Sequence, residues 1–241
     1  MLGGKQMPQR RVCILAHHLP RARMHALPSS REVTGTFSIV AVDLEAGECG
    51  AAVASKYPAV GRVVPYVRAA VGAFCTQHHH EPAWGEKALD LLALGKLPEE
   101  VLAILLKDDP KPGKRQLGII DMKGRAANRN CWDADPSGVW WGSMAGRGYA
   151  CQGNTLASRQ VVTEMARAFE ETDGSLAGRL VAALVAADRV GGDHRGRLAA
   201  GIRVAKAGVP GYSLELQVDK SDDAVNELAR RYAGQQGADT R

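Results

Sequence analysis

The stretch TFSIVAVD at residues 36–43 decides the fold, together with ECGAAVAS at residues 48–55. Residues 44–47, LEAG, separate the two stretches and combine polar residues with a glycine, which is typical of a tight turn. Both stretches are mostly apolar rather than alternating, which indicates strands that are covered on both faces. The sequence therefore predicts an antiparallel hairpin inside a layered protein.

Thr36, which opens the hairpin and follows Gly35, is a candidate nucleophile. Cleavage of the peptide bond between them would free an α-amino group beside the threonine hydroxyl. A free α-amine has a pKa of about 8, so one residue could supply both the nucleophile and the general base. No methionine directly precedes Thr36, so this requires proteolysis, by the protein itself or by another. The alternative is that Thr36 is an ordinary β-former at the start of a strand.

The chain has the length and composition of one layered domain. Its 241 residues contain no evident linker, and 45% of them are hydrophobic, which is enough for a sizeable core. Only 5% are aromatic, so alanine, valine and leucine must fill that core, and small side chains permit close packing of helices on sheets. We expect the domain to span residues 36–233. Residues 1–35 are expected to be a disordered basic extension or a misplaced start, and residues 234–241 a frayed tail.

Apolar periodicity locates the further elements. Strands are expected at residues 63–77 (two strands), 116–121, 126–132 and 200–204. Helices are expected at residues 84–108 (two helices), near 161–169, at 176–187 and near 224–232. Residues 56–61 are expected to form a loop, as are residues 133–142, which contain Trp140 and Trp141. The tripeptide QGN at residues 152–154 is expected at a junction between a strand and a helix.

The net charge of +5 comes from the N-terminal extension. Residues 1–35 hold six basic residues and one acid, which leaves 25 basic and 25 acidic residues in the remainder. A basic surface for phosphate backbones is therefore not expected in the domain, and nucleic acid is not expected as a partner. The apolar run at residues 12–16 is too short to span a membrane, so no membrane partner is expected either.

The five cysteines indicate a reducing compartment. They include no CxxC pair, and an odd number argues against a closed disulfide framework, so the simpler interpretation is a cytoplasmic protein. Cys151 directly precedes the QGN tripeptide, but no histidine stands nearby in the sequence. We therefore interpret Cys151 as a buried structural thiol rather than a nucleophile.

Several short sequence motifs, called words below, occur in the order seen in a known family. They are TFSIVA at residue 36, VAS at residue 53, AVG at residue 59, TQ at residue 76, QLG at residue 116, GYACQGN at residue 148 and GGD at residue 191. On these words the chain resembles an uncharacterised family of unknown function within the N-terminal-nucleophile (Ntn) hydrolase superfamily, from about Thr36 to Tyr232. The resemblance implies a four-layer αββα sandwich of two mostly antiparallel sheets. By superfamily analogy, it also implies amide hydrolysis by an N-terminal threonine.

The expected catalytic residues are Thr36, Asn154 and Asp193. Asn154 and Gln152 flank a glycine that lets backbone approach a ligand, and both amides could donate to a developing oxyanion. Alternatively, Asn154 caps a turn and Gln152 satisfies buried backbone. Asp193 could orient the threonine amine or stabilise its ammonium form, although an Asx-type turn explains it equally well. Lys56 could lower the pKa of the amine or be a surface lysine at a strand end.

The expected substrate contacts are Ser55, Gln77, His78, Gln152 and Trp141. Gln77 supplies two N–H groups without a titrating charge. His78 and His80 would share a strand face, and Glu81 could complete a metal set, but ligands packed into consecutive positions are geometrically awkward and no metal is expected. Trp141 could wall a substrate pocket or plug the core beneath a loop.

Two positions depart from the family pattern. Related sequences usually carry asparagine where this chain has Glu81, which adds negative charge where an amide is expected. They usually carry Gln-Ser where this chain has Leu198 and Ala199, so two polar side chains are missing at the start of a predicted strand. The first departure bears on substrate identity, and the second bears on specificity and on the level of activity.

The leading hypothesis is an amidohydrolase that cleaves a non-peptide C–N bond of a small-molecule amide after processing between Gly35 and Thr36. No cofactor is expected, and the chain is expected to form a homo-oligomer. The alternative is a non-catalytic αββα module that binds a small metabolite or assembles with partners while Thr36 stays internal. A third hypothesis is metal-dependent hydrolysis through His78 and His80, which elemental analysis would test.

Overall fold

Two antiparallel sheets form the centre of the protein in a computed structural model, which describes residues 35–132 and 140–239. The larger sheet contains six strands, in the spatial order β10 (Leu214–Val218), β9 (Ala199–Lys206), β2 (Glu48–Ser55), β1 (Thr36–Asp43), β8 (Tyr149–Leu156) and β7 (Trp140–Gly146). The smaller sheet contains four strands, in the order β3 (Pro65–Arg68), β4 (Gly72–His78), β5 (Arg115–Asp121) and β6 (Ala126–Arg129). The predicted hairpin is β1 and β2.

Helices cover the outer faces of both sheets. The helices are α1 (Val60–Val63), α2 (Trp84–Ala93), α3 (Pro98–Leu106), α4 (Gln160–Glu171), α5 (Leu176–Arg189) and α6 (Ala224–Asp239). The short helix α1 is the exception, because its Val60 is buried between the two sheets. The helices α4, α5 and α6 pack on the larger sheet, whereas α2 and α3 pack on the smaller one. A third apolar cluster lies between the two sheets. The predicted αββα sandwich is confirmed.

The side chains of β1 alternate between two of these clusters. Phe37 and Ile39 belong to the cluster beneath α4 and α5, whereas Val40 and Val42 belong to the cluster between the sheets. Both faces of β1 are therefore buried, as its nearly continuous apolar sequence predicts. Because successive side chains point to opposite faces, Thr36 lies on the same face as Val40, between the sheets.

The strand register sets the neighbours of Thr36. It stands opposite Ser55 of β2 on one side and opposite Asn154 of β8 on the other. Ser38, two residues further along β1, stands opposite Gln152. One end of the layer between the sheets is therefore lined with polar side chains, whereas a cluster of buried apolar residues that includes Val40 and Val42 lies further along the layer.

Two predicted loop or junction regions are wrong, because pairing with β8 overrides the local sequence signal. Trp140 and Trp141 begin β7 rather than lying on a loop, and β7 passes a bulge between Trp140 and Gly142 as it pairs with β8. Gly153 lies within β8 rather than at a junction with a helix. The predicted loop at residues 56–61 runs into the short helix α1.

The C-terminal helix is longer than predicted. Fraying was expected from residue 234, but α6 continues through Gly234 and Gly237 to Asp239. An ion pair between Glu227 and Arg231, four residues apart, supports its exposed face. Residues 1–34 and 133–139, about which the sequence made predictions, lie outside the described residues, as do residues 240 and 241. Within the described part of the chain, none of the helices is long and apolar enough to cross a bilayer.

The cysteines of the described residues are free thiols and all are buried. Cys151 lies in the cluster beneath α4, and its Sγ donates to the Val162 carbonyl at 3.7 Å. Burial raises the pKa of Cys151 from 9.0 to about 12, and burial likewise raises the pKa of Cys75 to about 12. These thiols are protonated near neutral pH, and the predicted burial of Cys151 is confirmed.

We expect unfolding to become easier at alkaline pH. A thiol whose pKa is raised by folding stabilises the native state below pH 9.0, and this contribution is lost as the pH rises through about 12. Urea unfolding between pH ~9 and ~10.5 should lose roughly 1 kcal/mol per pH unit for each such thiol. The slope should be shallower in Cys151→Ala than in the wild type. Equal pH slopes of the unfolding free energy in the two proteins would contradict this role of the thiol. A difference in unfolding free energy that is the same at every pH reports only lost packing.

Candidate functional site

A chain of hydroxyl groups connects Thr36 to the carbonyl of the residue before it. The Thr36 hydroxyl donates to Ser55 Oγ at 3.2 Å, and Ser55 Oγ donates to the Gly35 carbonyl oxygen at 2.6 Å. The backbone N–H of Tyr57 donates to the same serine oxygen at 3.1 Å and fixes its position. Thr36 and Ser55 are fully buried. The Gly35 carbonyl is therefore polarised by a donor that also contacts the threonine hydroxyl.

Asn154 holds the other side of the Gly35 residue. Its Oδ1 accepts the Gly35 backbone N–H at 2.6 Å, and its Nδ2 donates to Gln116 Oε1 at 2.8 Å. Asn154 is fully buried and stands directly opposite Thr36 in the sheet. The structure thus brings together two of the predicted catalytic residues, Thr36 and Asn154, with Ser55, a predicted substrate contact.

A second group of polar side chains lies next to Thr36, Ser55 and Asn154. We call it the amide layer, and it consists of Ser38, Gln77, Gln116, Asn128 and Gln152. Gln77 Nε2 donates to the Thr36 carbonyl at 3.3 Å and to Gln116 Oε1 at 2.8 Å. Its Oε1 accepts from the Ser38 hydroxyl at 2.6 Å. The predicted contact Gln77 therefore reaches across from the smaller sheet and holds the backbone of Thr36.

Gln152 lies in the amide layer, beside Ser38 rather than Thr36. Its Nε2 donates to Ser38 Oγ at 2.6 Å, and its Oε1 accepts from Asn128 Nδ2 at 2.7 Å. Gln116 closes the layer by donating to the Gly153 carbonyl at 2.8 Å. These side chains carry no titrating charge, and in a buried environment their hydrogen bonds are strong and orient one another.

Asp193 lies at the end of the larger sheet. The residue is fully buried, and Leu156 and Asp193 form an isolated bridge that connects the loop after α5 to β8. Its Oδ2 accepts the Lys56 backbone N–H at 3.3 Å, and its carboxylate pairs with Arg195 at 3.1 Å. In this geometry Asp193 fixes the chain just after Ser55. The Lys56 side chain is exposed, as expected of a surface lysine.

His78 and Trp141 lie at the border of the site. His78 ends β4 beside Gln77 with a φ of 67°, and its ring meets that of His79 edge-on at 5.1 Å. Trp141 is half-buried at the bulge of β7, while Trp140 packs against the cluster beneath α4. Within residues 35–132 and 140–239, the His, Cys, Asp and Glu side chains form no group of three or more that could hold a metal ion.

Sequence reasoning assigned no role to Ser38, Gln116 or Asn128. The signal for Ser38 was its spacing of two residues from Thr36, which places both side chains on one face of a strand. Gln116 lies in the QLG word of the family resemblance, but its contacts depend on how the two sheets stack. Asn128 carried no signal in its local sequence.

The chain matches a model described as a family of unknown function (DUF1028) over residues 36–228. It is also similar to the crystal structure of protein SPO2555 from Silicibacter pomeroyi, which carries the same family model. The sequences are 30% identical, the alignment covers 83% of this chain and 86% of the other, and the TM-score is 0.76. No curated protein matches the chain.

We predict that Gly118 is required for the amide layer. A Cβ at this position of β5 would lie 2.2 Å from Gln152 Oε1, so Gly118→Ala displaces Gln152 from its partners. We expect a loss of about 1–3 kcal/mol in the free energy of unfolding, measured in urea. The control is Gly234→Ala in α6, where the added Cβ meets open space and stabilises the helix by up to about 1 kcal/mol. Equal effects of the two substitutions would contradict the role of Gly118.

Proposed function

We propose that the chain, which belongs to the DUF1028 family of unknown function, is an Ntn-type hydrolase that uses Thr36 to cleave non-peptide amide bonds. The observation that carries the proposal is the pair of hydrogen bonds from Thr36 to Ser55 and from Ser55 to the Gly35 carbonyl. A nucleophile, a proton carrier and a polarised carbonyl are thereby arranged around one peptide bond. The match to the family model also begins at Thr36.

The first step of the proposed mechanism is cleavage of the protein's own chain. The Thr36 oxygen attacks the Gly35 carbonyl carbon, and its proton passes through Ser55 Oγ to the carbonyl oxygen. As the tetrahedral intermediate collapses, the proton moves from the former carbonyl oxygen to the threonine nitrogen and the C–N bond breaks, so that the glycyl group becomes an ester on Thr36 and the threonine nitrogen becomes a free amine. Water then hydrolyses the ester and releases residues 1–35 with a terminal carboxylate.

The second step uses the new N-terminus on an external amide. The free α-amine of Thr36 takes the hydroxyl proton as the oxygen attacks the substrate carbonyl, and then donates it to the departing amine. Water then hydrolyses the acyl ester, which releases the acid and restores the Thr36 hydroxyl. Ser55 Oγ, no longer bonded to Gly35, is available to donate to the oxyanion. The amide layer holds the Thr36 carbonyl through Gln77 and thereby fixes the direction of attack.

A non-catalytic module with Thr36 internal is the second candidate, and two observations favour it. The polar side chains around Thr36 are buried and already hydrogen-bonded to one another. Ala199, where related sequences usually carry serine, stands opposite Ser55 in the register of β2 and β9, so this end of the layer has one hydroxyl fewer. Chain cleavage is the property that distinguishes the two candidates.

Thr36→Val should abolish cleavage, because valine keeps the shape of threonine but has no hydroxyl. We expect this variant to remain a full-length chain of 25.7 kDa in intact-mass measurement, while the wild type is shortened. Thr36→Ser is the control, because it retains the nucleophile and should still be cut. Cleavage of Thr36→Val at the same bond and rate would overturn the proposed function.

Ser55→Ala should slow the cleavage without preventing it. The variant loses the donor to the Gly35 carbonyl, and loss of one such donor typically lowers a rate by roughly 10²–10³-fold. The measurement is the half-life of the full-length chain after rapid purification. Ser143→Ala is the matched control, since Ser143 is a β7 serine bonded to Asn130 rather than to Gly35. If both variants are cut as fast as the wild type, Ser55 has no such role.

A further inference from the structure

Gly35 has a backbone conformation and surroundings that disfavour an L side chain. Its φ is 97°, a range that L-residues rarely adopt. A Cβ in the L position would lie 1.3 Å from Arg195 Nη2 and 2.4 Å from Thr155 Oγ1. Residue 35 is therefore restricted by the local backbone and by two neighbouring side chains together.

The position of Gly35 is also the acyl position of the proposed reaction. Chain cleavage as proposed above places a glycyl group on the Thr36 oxygen as an ester. Turnover of an external amide places the substrate's acyl group on the same oxygen through the same type of bond. The groups that surround Gly35 are therefore the groups that meet the acyl part of a substrate.

Two of those groups recognise a particular pattern of atoms. Ser55 Oγ donates to the Gly35 carbonyl, and Asn154 Oδ1 accepts the N–H on the other side of the same α-carbon. Both side chains are fully buried, so departure of residues 1–35 leaves a donor and an acceptor that need new partners. A carbonyl and an N–H separated by one α-carbon are the features of an N-acylated α-amino acyl group.

We infer that the substrate is an N-acylglycyl amide, or its D-configured equivalent, and that L-configured acyl residues are excluded. The inference rests on the proposed function and specifies its substrate class. Thr36 Oγ forms an ester with the glycyl carbonyl carbon, the bond to the amine breaks, and the amine departs with the proton carried by the Thr36 nitrogen. Water then releases an N-acylglycine. A D-residue prefers positive φ and directs its Cβ away from the position that Arg195 and Thr155 block.

The test uses protein that has been expressed as the full chain and has then been cleaved before Thr36. It is mixed with the p-nitrophenyl esters of N-acetylglycine, N-acetyl-D-alanine and N-acetyl-L-alanine. These esters acylate the nucleophile by release of p-nitrophenolate, so the identity of the natural amine does not matter. We expect kcat/KM for the glycyl ester to exceed that for the L-alanyl ester by about 100-fold, with the D-alanyl ester between them. Intact mass should show the acetylglycyl adduct on the fragment that contains Thr36.

An Arg195→Ala variant tests the cause of the selectivity. Removing the guanidinium opens the space nearest to the blocked Cβ position, so the ratio of L-alanyl to glycyl rates should rise. The ratio is used because loss of the ion pair with Asp193 lowers both rates. Arg197→Ala is the matched control, since Arg197 forms a comparable ion pair with Asp188 and should leave the ratio unchanged.

The outcomes separate this inference from the proposed function. If none of the esters reacts faster with the wild type than with Thr36→Val, the proposed function fails and the inference fails with it. If the wild type reacts but takes the L-alanyl ester as well as the D-alanyl or glycyl ester, the proposed function stands and the inference is overturned. The inference is supported if the wild type prefers the glycyl ester, if Arg195→Ala reduces this preference and if Arg197→Ala keeps it.

Discussion

The register of three strands around Thr36 is the constraint on which the site depends. Pairing of β1 with β2 places Thr36 opposite Ser55, and pairing with β8 places it opposite Asn154. A shift of one residue in either pairing would turn the partner's side chain to the other face of the sheet. Phe37 and Ile39, buried beneath α4 and α5, oppose such a shift because it would move them into the layer between the sheets.

The site is built from uncharged groups, which suits a position between two sheets. A buried carboxylate or ammonium needs a paired charge, whereas carboxamides and hydroxyls need only hydrogen bonds. The amide layer supplies these bonds between the sheets, and Asp193, a buried carboxylate at the sheet end, is paired with Arg195. In this environment the proton acceptor of the proposed reaction is the amine of Thr36 itself, which processing creates.

The sequence predicted those elements of the structure that depend mainly on residues close together in the chain. The hairpin, the two strands within residues 63–77, the helices α2 to α6 and the sandwich followed from apolar periodicity, turn residues and the family resemblance. The choice of Thr36, Asn154 and Ser55 followed from strand position and the same words, and the structure places these residues together. Gln116 and Asn128 could not be assigned, because their partners belong to the opposite sheet and to chain segments distant in sequence. Trp140 and Trp141 were misplaced for a similar reason, since pairing with β8 makes β7 a strand.

The first residue of the native protein tests the central claim most directly. N-terminal sequencing of the chain purified from its own source should give Thr36 as the first residue, because the proposed general base exists only when that nitrogen is free. A native chain that begins ahead of Thr36 and still hydrolyses an amide would contradict the account. In that case the contacts around Thr36 would be purely structural, and another residue would perform the chemistry.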